Sequence, residues 1–117
     1  MKQGIIIYRG KRLPSGNTSV KKETYPPTII TELSIGPSIK LINHSPTGFN
    51  WGYGGSGPAQ LALAILLNFT GDKEKALAHY QDFKWDFVAR WSGSDWCITG
   101  GQINDWLNKQ AAGAVAG

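Results

Sequence analysis

A helix with no polar side has to be buried, and one stretch of this chain reads as such a helix. After Pro58 the residues run Ala59-Gln60-Leu61-Ala62-Leu63-Ala64-Ile65-Leu66-Leu67. An all-round apolar helix belongs in the middle of a fold. At about a dozen residues it is too short to cross a bilayer. The rest of the chain must therefore be arranged around it. Ser56 or Gly57 supplies the cap, and Pro58 fits the first turn, where a missing N–H costs nothing. Gln60 is placed to reach back to that cap. Gly71 suits the left-handed position that ends a helix. Leu63→Asp is expected to lose the fold by burying an unpaired charge.

The loop before this helix, Trp51-Gly52-Tyr53-Gly54-Gly55-Ser56-Gly57, is aromatic and glycine-rich. Free N–H groups at a helix start make an anion site, so Trp51, Tyr53, Gly54, Gly55, Ser56 and Gly57 form a candidate ligand loop. The simpler reading, which we favour, is that the glycines turn the chain sharply beneath Trp51 and Tyr53. Gly55→Val is then expected to lose the fold through strain. No Gly-Lys-Ser/Thr follows, and the GxGxxG spacing after a strand is missing, so neither a P-loop nor a dinucleotide fingerprint is present.

The chain as a whole predicts an α+β domain: a small antiparallel sheet of three or four strands in the N-terminal half, packed on three helices with the apolar one at the centre. Strands are expected at 4–9, 18–25, 28–35 and 38–43, the third with Ile29, Thr31, Leu33 and Ile35 on one face. A second helix is expected from Lys73 to Trp91, capped by Asp72, with an apolar stripe of Ala76, Leu77, Tyr80, Phe83, Phe87 and Trp91. Asp95 to Ile98 reads as a short extended piece. Thr99 and Gln102 form a capping box for a third helix over 100–110. Residues 1–110 are expected to be one domain and 111–117 a frayed tail. A length of 117 residues suffices for a real core.

Charge is unevenly placed. Residues 1–48 carry seven Lys or Arg and two Glu, while 49–117 carry five basic and six acidic residues. Arg9, Lys11, Arg12, Lys21, Lys22 and Lys40, with Lys2, could meet phosphates, and Tyr8 or Tyr25 could stack on bases. Lysines that guard solvated strand edges explain the same pattern, and we favour that reading.

The candidates for chemistry are sparse. His44 lies beside the glycine loop in sequence but reads as a hydrogen-bonding structural residue. Asp82 and Asp86 are one helical turn apart, with His79 three before Asp82; a solvated face is the favoured reading, and no metal or cofactor is expected. Cys97, the single cysteine, sits between Trp96 and Ile98 and reads as a buried small hydrophobe. No disulfide can form within the chain, which fits a reducing cytoplasm. Trp85 falls off the apolar stripe; if exposed it is a partner contact, because tryptophan is common at binding hot spots.

The run Asn43-His44-Ser45-Pro46-Thr47-Gly48-Phe49, then Trp51-Gly52-Tyr53-Gly54-Gly55-Ser56-Gly57-Pro58-Ala59-Gln60-Leu61, resembles a family of small uncharacterised proteins from bacterial plasmids, phages and integrated mobile elements. Tyr80 to Lys84 and Asp95 to Leu107 are similar as well. The resemblance implies an intracellular accessory protein and carries no activity with it. It favours a non-enzymatic protein that binds a host protein, for example one that inhibits or modulates a defence system. Nucleic-acid binding through the basic half, and a small anionic ligand at the 52–57 loop, are the alternatives. No membrane partner is expected.

Overall fold

The computed structural model describes residues 4–116. Two long strands start it. β1 (Ile5–Arg12) and β2 (Thr18–Tyr25) pair antiparallel from Ile5 opposite Tyr25 to Arg12 opposite Thr18. The turn between them carries Gly16. β3 (Ile29–Glu32) adds to the free edge of β2, and β4 (Asp95–Thr99), far along the chain, adds antiparallel to β1. The order is β3-β2-β1-β4. Alternation sends successive side chains to opposite faces of a strand. Tyr8, Val20, Trp96 and Ile98 are accordingly buried towards the helices, while Arg9, Lys11, Lys21 and Cys97 point away and are exposed. The protein is an α+β fold with one face of its sheet covered.

The helices are α1 (Gly36–Leu41), α2 (Ser56–Thr70), α3 (Lys73–Asp86) and α4 (Gly100–Ala116), with a 3-10 turn at Val88–Arg90. α2 is the central helix: every residue from Gly57 to Leu66 is buried. Gly71 ends it at φ 66°, and its N–H donates to the Leu67 carbonyl. Asp72 caps α3 by accepting from the Lys75 N–H at 3.1 Å. Thr99 and Gln102 form the reciprocal box at the start of α4: the Thr99 N–H donates to Gln102 Oε1 (2.9 Å), and the Gln102 N–H to Thr99 Oγ1 (3.1 Å).

Several expectations are corrected. Residues 38–43 are not a strand, because α1 occupies 36–41 with Pro37 in its first turn. The cause is tertiary. Ser38 is fully buried and accepts from the Gln60 amide, an arrangement that a strand alternating Ile39 and Leu41 inward would not give. The fourth strand of the sheet is instead 95–99. β3 stops at Glu32; Ile29 and Thr31 are exposed, and Leu33 just beyond is buried. The second helix breaks at Phe87, whose φ of −125° leaves the helical range. Leu77 remains 37% exposed. α4 runs past Gln110 to Ala116, as its alanines favour. Cys97 is exposed rather than buried. None of the helices among the described residues is long and apolar enough to cross a membrane.

Candidate functional site

The glycine loop is held at its start and open at its end. Trp51 is 2% exposed, donates its indole N–H to the Gly93 carbonyl at 3.2 Å and meets Trp96 edge-on. The Arg12 guanidinium lies over the Trp51 ring at 4.7 Å and donates to Asn50 Oδ1 at 2.8 Å. Gly52 then takes φ +90°, and its N–H donates to the Val88 carbonyl at 3.0 Å. A Cβ there would also press on the Trp91 carbonyl oxygen, so this glycine is required.

The end of the loop is built differently. A Cβ on Gly54 would fall inside the Trp85 ring, and one on Gly55 would meet the Tyr53 ring. The two aromatics therefore rest on bare backbone on one side. Each stays about half exposed, Tyr53 at 48% and Trp85 at 56%. Gly55 has φ −92°, open to any residue, so its replacement would displace Tyr53 rather than strain the chain. The ammonium of Lys84, a side chain nearly covered by its surroundings, donates to the Gly54 carbonyl at 3.2 Å and lies 4.3 Å over the Trp85 ring. Trp85 and the 53–57 loop lie far apart in the sequence, and the fold puts them together.

Beside Tyr53 lies a cleft of about 450 Å³, between the β1–β2 turn, the 45–50 loop and the first residues of α2. Its side chains are hydroxyls, amides and two aromatic rings, with no charged group. α2 has Gly55 as its cap residue and no side-chain cap, so the Ser56 and Gly57 N–H groups start the helix unbonded by a side chain. Gln60 does not reach back to them. It is fully buried and clamps the preceding segment: Oε1 accepts from the His44 and Ser45 N–H groups (2.7 and 3.0 Å), while Nε2 donates to Ser38 Oγ and the Ile42 carbonyl (2.9 and 3.2 Å). That fills the full capacity of an amide. A lone amide inside an apolar run was the signal for such a role.

The basic residues do not form one surface. Arg9, Lys11 and Lys21 lie on the uncovered face of the sheet, where three carboxylates answer them. Arg9 Nε is 2.7 Å from Glu23, Lys21 Nζ is 3.9 Å from Glu32, and Asp95 stands opposite Lys11 in the register. Arg12 is committed to Trp51 and Asn50. Lys22 stands opposite the buried Tyr8 in the register and so belongs to the helix side, and Lys40 is on α1. Lys2 lies outside the described residues. Tyr8 is fully buried and donates to Asn68 Oδ1 at 2.6 Å, so it is no stacking platform; burial pushes its pKa far up. Tyr25 donates to Glu23 at 2.6 Å. That bond, together with the Arg9 bond, holds the Glu23 carboxyl below its ordinary range and raises Tyr25 and Arg9 in turn.

The remaining candidates are dispersed. His44 Nε2 is 2.8 Å from the Tyr80 hydroxyl, and His79 packs edge-on to Trp106. Cys97 pairs in register with Arg9, and both lie on the uncovered face of the sheet. Asp86 accepts from the Trp106 indole at 2.7 Å. No three His, Cys, Asp or Glu side chains cluster among the described residues.

A family model described as a family of unknown function (DUF6166) matches residues 8–109. The chain belongs to that family. No curated protein and no solved structure matches it. The DUF6166 match takes in β1 from Tyr8, the glycine loop and its Trp85 neighbour, and most of α4. It therefore covers everything that builds the Tyr53–Trp85 surface.

Proposed function

We propose that the protein is a non-enzymatic binding module that engages a partner protein through Tyr53 and Trp85. The observation that carries this reading is the seating of both rings on glycine. Rigid aromatics with one face free are what protein interfaces use as anchors, because little side-chain freedom is left to lose on binding. The potentially reactive side chains, by contrast, are tied into structural contacts or stand apart from one another. In the mobile-element setting that the sequence resembles, the partner is a cytoplasmic host protein whose activity, such as a defence system, is inhibited or modulated.

The test is capture from nuclease-treated bacterial lysate with three tagged proteins. These are the wild type, the pair Tyr53→Ala with Trp85→Ala, and the pair Arg9→Ala with Lys11→Ala. The wild type and the basic-face variant should retain the same protein at moderate salt, and the aromatic variant should release it. Equal retention by the aromatic variant, or no retained protein at all, would sink the proposal.

One observation favours a second reading. The uncharged cleft ends at the uncapped start of α2, where Ser56 and Gly57 N–H groups and hydroxyl side chains offer donors to a small anionic ligand. A thermal-shift screen of carboxylates and phosphates tests it, and a flat response removes it. Nucleic-acid binding has less support, because the basic residues of the uncovered face are matched by acidic ones. Salt-sensitive retention of nucleic acid by wild type, lost in Lys11→Ala with Lys21→Ala, would revive it.

A further inference from the structure

We propose that Lys84 is the positioning residue of the Tyr53–Trp85 surface, an inference that rests on reading that surface as the binding site. Lys84 is the one lysine among the described residues that is nearly buried, at 6% exposure. It lies one turn beyond Tyr80 and next to Phe83, on the inward face of α3. A methionine there would fill the same space without bringing an ammonium out of water, which is costly unless the charge is used. The lysine stem alone could be packing material, as long basic side chains often are. Where the charge goes argues otherwise. Both of its partners belong to the aromatic surface: the carbonyl of Gly54, the residue under the Trp85 ring, and the ring itself.

The three groups therefore close a triangle. Lys84 holds the Gly54 carbonyl, Gly54 gives its bare Cα to the Trp85 ring, and that ring gives its π face to the ammonium. Gly54 comes from the loop and the other two from α3, 30 residues later. Removing the charge opens two sides of the triangle and leaves only van der Waals contact. The ring then gains freedom that a partner must take away again when it binds.

The experiment uses full-length protein labelled with 5-fluorotryptophan, the Trp85 signal being assigned with Trp85→Phe. In Lys84→Met the Trp85 resonance should shift or broaden while the other four tryptophan signals stay in place. An unchanged Trp85 resonance would overturn the proposal. Movement of all five would overturn it too, by making Lys84 a general core residue. If Lys84→Met does not fold, Lys84→Gln, which keeps a donor without the charge, is read in the same way. Retention of the captured partner should fall at least about tenfold in Lys84→Met, and little further when Trp85→Phe is added. A moved Trp85 signal with unchanged retention would leave Lys84 as the positioning residue but sink the binding role of the surface.

Discussion

Trp96 and Trp85 are seated in the same way and end in opposite places. Each indole lies where a neighbouring glycine's Cβ would be, Gly10 under Trp96 and Gly54 under Trp85. Trp96 is 8% exposed, stacked at 4.0 Å on Trp91 and crossed edge-on by Trp51; its indole nitrogen is buried without a hydrogen-bond partner. Trp85 has its glycine on one side, Lys84 over its ring and more than half its surface in water. A glycine under a tryptophan is thus a means of fixing a ring. What covers the other face decides whether the ring serves the core or the surface.

The largest effect should come from filling the inner seat. Gly10→Val would drive the valine into Trp96 within the sheet, an overpacking that costs about 1–3 kcal/mol or more, and the protein should be strongly destabilised or fail to accumulate, as should Leu63→Asp. Gly54→Val should leave a cooperative urea transition near that of wild type while shifting Trp85. A Gly10→Val protein with the wild-type midpoint would break the comparison.

Truncating the rings sharpens it. Trp96→Ala should lose about 3–5 kcal/mol of stability, as large-to-small changes in cores do. Trp85→Ala should lose about 1 kcal/mol or less, because only one face and a cation contact are removed. Equal losses in urea denaturation would mean that Trp85 is a core residue after all.

The smallest effect concerns Tyr25, an aromatic of the uncovered sheet face that is held by charge rather than by a glycine. Its hydroxyl, followed by Arg9, stabilises the ionised Glu23 and lowers that pKa. A lowered carboxylate pKa adds stability above the ordinary carboxylate range, lost as pH falls through the folded value. Melting temperature should therefore drop between about pH 5 and pH 3 in the wild type, and drop less in Glu23→Gln. Parallel curves would mean that the triad contributes nothing.

The sequence made the core legible and the surface only half so. α2, its end at Gly71, the Asp72 cap and the Thr99–Gln102 box are local chemistry, written within a few residues of where they act. Gln60 clamps the preceding segment and does not reach back to the cap, and local pattern cannot show this because its four partners lie 15 to 22 residues upstream of it. Residues 38–43 alternate Ile39 and Leu41 in a pattern that suits a strand, and the burial of Ser38 against Gln60, out of reach of local pattern, goes with a helix over 36–41 instead. The loop glycines and Trp85 were each visible, but nothing local says that Gly54 is the seat and Lys84 the clasp.

The strand order has a kinetic side. Ile7 of β1 pairs with Thr99 of β4, almost the whole described chain later. At roughly 5–20 residues per second of synthesis, the outer edge of β1 stays open for on the order of ten seconds while the intervening segments emerge. The early hairpin can form at once, but the contact that completes the sheet is long-range and slow. The nascent chain thus carries an unpaired, isoleucine-rich edge before its last strand exists, and in that interval it is most exposed to misassembly and to chaperones.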